Sequence, residues 1–166
     1  MNKLAIIVVL TVVICFLGVS QAQALSNTGE IAVTVTLSTV SIAITAGDET
    51  WAIGPVAAST ETATAAALTV TNDGNVNVDI AIVCDGSTDW TIGEVAASNV
   101  FIMKAQGGEF ATTYTYIGAS GDLKLDLAPA VAVDDLLLQF TAPTASTSID
   151  SQSITVTLTA SAASGS

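Results

Sequence analysis

The sequence predicts one all-β domain built as a single antiparallel two-sheet sandwich of about nine to ten strands. Three observations indicate this class. Apolar and polar residues alternate with a period of two in several runs, as in strands with one buried and one wet face. Helical periodicity is nearly absent. Turn signals rich in Gly, Asn, Asp and Ser separate the runs by roughly 8–12 residues, a spacing typical of sandwiches.

The alternation is clearest in five runs, in which threonine is the favoured outward residue because its branched side chain suits a strand and remains soluble. These runs are residues 31–37, 68–71, 76–82, 123–127 and 154–159. Strands at residues 66–71 and 76–83 flank the turn sequence Asn-Asp-Gly-Asn. This arrangement predicts that the two strands pair as an antiparallel hairpin.

The first run contains a break in phase. Its apolar positions are odd-numbered in residues 31–37 and even-numbered in residues 40–44. One straight strand cannot direct both sets to one face, so we expect either a bulge at Ser38 and Thr39 or a crossing between sheets. Residues 51–59 also resemble residues 90–98, which predicts two similar strand–turn–strand units.

The chain begins with features of a cleavable signal peptide at residues 1–24. Lys3 precedes an apolar run at residues 4–19, and small residues stand at positions 22 and 24 in the pattern that signal peptidase requires. The run has 16 residues, fewer than the roughly 20 that span a bilayer as a helix. A retained membrane anchor is the alternative. We therefore expect a mature domain at residues 25–166, with no transmembrane segment.

The charge of the predicted mature chain restricts its partners. Lys104 and Lys124 oppose 15 acidic residues, which gives a net charge of −13. Nucleic acid is excluded, because its phosphates require Lys and Arg, and anionic membrane surfaces are disfavoured for the same reason. The sequence contains no histidine, the commonest general base and metal ligand. We find no catalytic triad, phosphate-binding loop or zinc spacing, and predict that the protein is not an enzyme and has no cofactor.

Cys84 is the one cysteine of the predicted mature chain, so an intramolecular disulfide cannot form. It continues the inward phase of residues 76–82, which predicts a buried, unreactive thiol. An intermolecular disulfide is the alternative. Asp85 and Asp89 are candidate calcium ligands, since calcium takes several loop oxygens. Their order is not that of a calcium loop, and turn chemistry explains an Asp-Gly pair equally well.

Four aromatic residues are candidates for stacking on a ligand: Trp51, Trp90, Tyr114 and Tyr116. Each tryptophan lies in one copy of the internal repeat and would pack near a sheet edge or between the sheets. Packing in the core is the expected role of both tryptophans, and an exposed platform for a ligand is the alternative.

Residues 68–80, with the sequence LTVTNDGNVNVDI, resemble the V-T-N-x-G-N segment of secreted prokaryotic immunoglobulin-like domains. Residues 152–160 are similar to the closing strand of those domains. The resemblance implies an immunoglobulin-like sandwich, with a jelly-roll arrangement as the alternative. It also implies a place among cell-surface and surface-layer-associated proteins, where such domains serve as spacers or adhesive modules.

These observations predict a secreted or cell-surface protein, with the periplasm as a further location, that is structural and binds itself or other surface proteins. Residues 31–45 and 154–160 are rich in β-formers and free of proline and charge, and they lie near the ends of the predicted mature chain. Such strands can complete a neighbouring sandwich, which predicts a filament or surface-layer subunit. The alternative is a carbohydrate- or protein-binding module that uses the aromatic residues.

Overall fold

The computed structural model describes residues 34–164. The predicted signal peptide and the first three residues of the first alternating run lie outside this range. The described residues before Leu37 belong to a separate unit, and the fold below is that of the unit that begins at Leu37. No helix in the described part of the chain is long and apolar enough to cross a membrane.

The predicted all-β class is confirmed, and the number of strands agrees with the prediction. The described residues form ten strands and one short 3-10 turn, at Gly108–Phe110. The strands are β1 Ile42–Ile44, β2 Glu61–Ala63, β3 Leu68–Asn72, β4 Val78–Cys84, β5 Thr91–Ile92, β6 Val100–Gln106, β7 Thr115–Tyr116, β8 Gly121–Leu127, β9 Ala132–Thr141 and β10 Val156–Ala162.

The strands form two sheets, as expected of a sandwich. The first has seven strands in the order β1-β3-β9-β6-β5, with β2 added to β9 and β7 added to β6. The second has three strands in the order β10-β4-β8. All strand pairs are antiparallel except β5 with β6, where Thr91 and Ile92 run parallel to Val100 and Phe101.

The core lies between the sheets and is built from alternate residues of the long strands. In β4 the burial alternates without interruption, so that every second side chain from Val78 to Cys84 is fully covered. In β6, Phe101 and Met103 face the core, and in β9 Phe140 does so. Phe140 packs against the Phe101 ring, with 5.7 Å between the ring centroids. The period-two pattern thus correctly predicted which residues of β4 are buried.

The predicted hairpin of β3 and β4 is wrong. These strands follow one another in sequence but lie in different sheets. Asn72 is the reason, because its side chain is fully buried and holds the turn inside the sandwich. Its amide donates hydrogen bonds to the carbonyl oxygens of Val76, at 2.9 Å, and of Leu127, at 2.8 Å. The backbone N–H of Gly74 donates to Asn72 Oδ1, and the chain crosses to the second sheet.

The first alternating run does not form the predicted strand in its described part. Residues 34–41 belong to no strand, and β1 begins only at Ile42. Asn75 holds this segment: its Nδ2 donates to the carbonyl oxygen of Leu37, and its Oδ1 accepts from the N–H of Thr39, both at 2.6 Å. The segment before β1 is therefore attached to the turn between β3 and β4.

The internal repeat does not produce two similar units. Residues 45–60 between β1 and β2 contain no strand, whereas Thr91–Ile92 in the second copy forms β5. The two Ile-Ala-Ile segments lie in β1 of the first sheet and β4 of the second. Similar sequences thus occupy different environments, because their partners come from distant parts of the chain.

Candidate functional site

A groove lies between the two sheets of the described unit. The path through the first sheet is five strands wide, and the second sheet has three. Part of the first sheet's inner face therefore has no described strand above it, and partly buried loop residues such as Trp51 and Ile53 pack against the core there. The groove there has a volume of about 740 Å³, which lies within the range of ligand-binding pockets. We call it the inter-sheet groove.

The inter-sheet groove is lined mainly by apolar side chains. Leu68 and Val70 of β3 contribute from the first sheet, and the loop after β1 adds further apolar groups. Asp48, one of the acidic residues in the lining, accepts a hydrogen bond at Oδ2 from the N–H of Thr69, 2.9 Å away. The other apolar residues of the lining include Ile53, Val56, Met103, Leu136, Leu138, Phe140, Ile154, Val156 and Leu158.

Strand β10 forms one wall of the groove and is the edge of the second sheet. It pairs with β4 on one side, and no described strand pairs with it on the other. Its inward residues Val156, Leu158 and Ala160 are only partly buried, whereas those of β4 are fully buried. The difference arises because nothing in the described part of the chain continues the sheet beyond β10.

The pairing register shows which backbone groups of β10 face outward. The N–H of Asp85 donates to the carbonyl oxygen of Thr155, and the N–H of Ala163 donates to the carbonyl oxygen of Asn77. Hydrogen-bonded pairs alternate along an antiparallel ladder, so Thr157, Thr159 and Ser161 direct their backbone groups toward β4. The groups of the four residues between them, Val156, Leu158, Ala160 and Ala162, point to the open edge. Val156 and Leu158, two of these four residues, also line the groove with their side chains.

Trp51 and Trp90 both line the inter-sheet groove. Each is partly buried and packs against the core. The Trp90 ring stacks on Phe140, with 6.3 Å between the centroids and 20° between the planes. Its Nε1–H donates to the Ser146 hydroxyl at 2.9 Å. The two tryptophans thus combine core contacts with a place in the groove wall.

Tyr114 and Tyr116 are not among the residues that line the groove. Both are partly buried, and Tyr116 belongs to β7, which pairs with β6 at the opposite edge of the first sheet from β1. Its ring lies against Gly118, where any side chain would collide with the ring. The four aromatic candidates therefore do not form one platform: the structure brings the tryptophans to one site and the tyrosines elsewhere.

Asp85 and Asp89 are both exposed in the loop after β4. The Gln152 amide donates to Asp89 Oδ2 at 2.9 Å. Hydrogen bonding from the Ser148 hydroxyl and from Gln152 lowers the pKa of the Asp89 carboxyl. Gln152 Oε1 also accepts a hydrogen bond from Ser87, at 2.7 Å. Asp89 therefore joins this loop to the segment before β10, and the described residues contain no cluster of three acidic or cysteine side chains placed to hold a metal ion.

The Cys84 thiol lies in the core, with 1% of the residue exposed. Burial, with a smaller contribution from the charge of Asp85, raises the pKa of the thiol to about 12. The thiol is therefore protonated at neutral pH and shielded from a second chain. This placement disfavours an intermolecular disulfide for the folded domain.

Most residues of the groove lining were not predicted from the sequence. Leu138 and Phe140 are flanked by the polar residues Gln139 and Thr141 in β9, and this local alternation could have identified them as facing inward, although Leu137 interrupts the pattern before them. It could not have shown that these residues also line a groove between the sheets. That depends on how many strands each sheet contains.

Comparison of the chain with family models, curated proteins and solved structures gave no match, so the geometry of the inter-sheet groove carries the functional proposal.

Proposed function

We propose that this protein is a secreted, non-enzymatic structural subunit of the cell surface that assembles with copies of itself through the inter-sheet groove. The observation that carries the proposal is the edge of β10, with which no described strand pairs, beside an apolar groove. An open strand edge is a template for pairing with another chain, and an apolar groove next to it adds burial to the backbone hydrogen bonds.

The composition supports a structural role over a catalytic one. The sequence contains no histidine, and apolar side chains dominate the groove wall. The features of residues 1–24 support export. No part of the proposal requires a cofactor.

The charge of the chain suggests how assembly is controlled. A net charge of −13 on the predicted mature chain makes copies repel one another in dilute salt. Between about 0.01 and 1 M salt the screening length falls from roughly 30 to 3 Å. We therefore expect residues 25–166 to be mainly monomeric at low salt and to form larger, ordered particles at high salt. Light scattering after size-exclusion chromatography measures the particle mass at each salt concentration, and negative-stain microscopy shows whether the particles are ordered.

Two variants of β10 give a matched test of the groove. Leu158→Asp places a charge on the groove side of the strand, whereas Thr157→Asp places the same charge on the exposed side. Assembly should be lost in the first variant and retained in the second. Leu158→Thr provides a milder change if the aspartate variant does not fold. A protein that remains monomeric at high concentration at every salt tested would refute the proposal.

A second candidate function is supported by the presence of both tryptophans in one groove. Trp51 and Trp90 lie there with the polar side chains of Ser148 and Gln152, a mixture of apolar surface and a few polar groups that is typical of small-molecule sites. A carbohydrate-binding module of this kind predicts a change in tryptophan fluorescence on titration with soluble oligosaccharides. The change should disappear in Trp51→Ala and persist in Tyr114→Phe. Unchanged fluorescence with every oligosaccharide would eliminate this candidate.

A further inference from the structure

We infer that the inter-sheet groove receives residues 31–37 of a second copy of this chain as an added strand beside β10. This inference rests on the proposed function and names the segment that makes the contact. Residues 31–37 are called the donor segment below. Three features of the chain support the assignment: the open edge of β10, the pattern of the donor segment and the point at which that segment joins the domain.

The receiving side presents backbone and side-chain groups in the same register. Val156, Leu158 and Ala160 direct their backbone N–H and C=O groups to the edge that no described strand pairs with, and the side chains of Val156 and Leu158 line the groove. A strand added at this edge would continue the second sheet. Its alternate side chains would then enter the groove next to those of β10. The edge of β10, from Val156 to Ala162, extends over about 20 Å at roughly 3.3 Å per residue.

The donor segment matches this wall in length and pattern. Its sequence, IAVTVTL, has four apolar residues at alternate positions, separated by alanine and threonine. Seven residues in a strand also extend over about 20 Å. In the described part, Val35 is 78% exposed and Leu37 is 82% exposed, and neither residue belongs to a strand. The described part of the donor segment therefore exposes apolar side chains, and the groove likewise presents apolar side chains beside the edge of β10.

The charges of the two surfaces are compatible with this pairing. Asp48, Glu49 and Asp150 are among the residues that line the groove, so a negatively charged segment would be repelled. The donor segment has no charged residue, and the acidic residue nearest to it, Glu30, lies just outside. An added strand that begins after Glu30 therefore brings no carboxylate into the groove.

The attachment of the donor segment favours a second copy over the same molecule. Asn75 holds Leu37 and Thr39 at the turn between β3 and β4. This is the end of the sandwich at which β10 finishes, because Ala163 pairs with Asn77. The groove residues of β10 lie in its first half, around Val156. Leu37 is therefore held at the other end of β10 from these residues and is 82% exposed, so Leu37 does not fill the groove of its own chain, and a donor segment from another copy can enter it.

Cross-linking between variants that each carry one introduced cysteine tests the assignment. Val35→Cys and Leu158→Cys proteins are mixed under assembly conditions and treated with a short bis-maleimide reagent. The native Cys84 thiol is buried and protonated, so it should remain unmodified. We expect a covalent dimer that contains one chain of each variant. Val95→Cys replaces Val35→Cys in the control, because Val95 is 76% exposed and also apolar, and this mixture should give no dimer above background.

The alternatives give different results. A chain carrying both Val35→Cys and Leu158→Cys that cross-links internally without forming dimers would overturn the assignment to a second copy. Absence of any cross-link in particles that do assemble would overturn the donor segment itself. Assembly that persists in the Val33→Asp, Val35→Asp double variant would also show that residues 31–37 are not the donor segment. The proposed self-assembly would remain intact in that case. Failure of the unmodified protein to assemble refutes both proposals.

Discussion

Replacement of Phe140 by alanine is expected to lower the free energy of unfolding by about 3–5 kcal/mol, the range for large aromatic residues in cores. Phe140 is 2% exposed and contacts two other rings, Trp90 and Phe101. Its strand is held on both sides, since Phe140 pairs with Thr62 of β2 and Met103 of β6. The surroundings therefore have little freedom to collapse into the space that the ring leaves.

Urea unfolding followed by tryptophan fluorescence measures the effect of Phe140→Ala. The transition midpoint should fall while its steepness stays constant, and the emission of folded Trp90 should shift because its ring loses a stacking partner. Gln139→Ala is the matched control on the same strand. It removes a hydrogen bond to Glu61 that lies at the surface and is expected to change stability by less than about 1 kcal/mol. Equal effects of the two substitutions would show that Phe140 is not a core residue.

Asn72→Ala is expected to destabilise the domain by about 2–4 kcal/mol, because each buried polar group left unsatisfied costs about 1–3 kcal/mol. The Asn72 amide is the donor for the carbonyl oxygens of Val76 and Leu127. One contact fixes the turn and the other fixes the end of β8. Both carbonyl groups lose this donor in the alanine variant.

Chemical unfolding of three asparagine variants tests this role. Asn75→Ala is the control, because the Asn75 hydrogen bonds lie at the surface, and we expect it to lose about 1 kcal/mol or less. Asn72→Asp should be worse than Asn72→Ala at pH 7, since a carboxylate donates no hydrogen bond and its charge would be buried. A stability of Asn72→Ala within experimental error of the unmodified protein would refute the assignment.

Part of this fold could be predicted because the relevant signal is local. Alternation along β4 correctly indicated the inward positions of Val78, Ile80 and Ile82, and it placed Cys84 among them. A period of two reports which face of a strand is buried, and this does not depend on the neighbouring strand. The all-β class followed from the same signal.

The sheet arrangement could not be read in this way, because alternation does not identify a strand's partner. Asn72 appeared as a turn residue, and turn chemistry is the same for a hairpin and for a crossing between sheets. The decisive contact is with Leu127, 55 residues away. The groove depends on the second sheet having fewer strands than the first. The sequence identified Trp51 and Trp90 as residues of interest without showing that they share this groove.

The pairing of strands far apart in sequence has a kinetic consequence. β9 pairs with β2 and β3, and the side chains of Glu61 and Gln139, 78 residues apart, meet across this pairing. Domains dominated by such distant pairs fold slowly, in milliseconds to seconds. β10 is the last described strand to be synthesised, so the edge proposed for assembly forms only when the domain is complete.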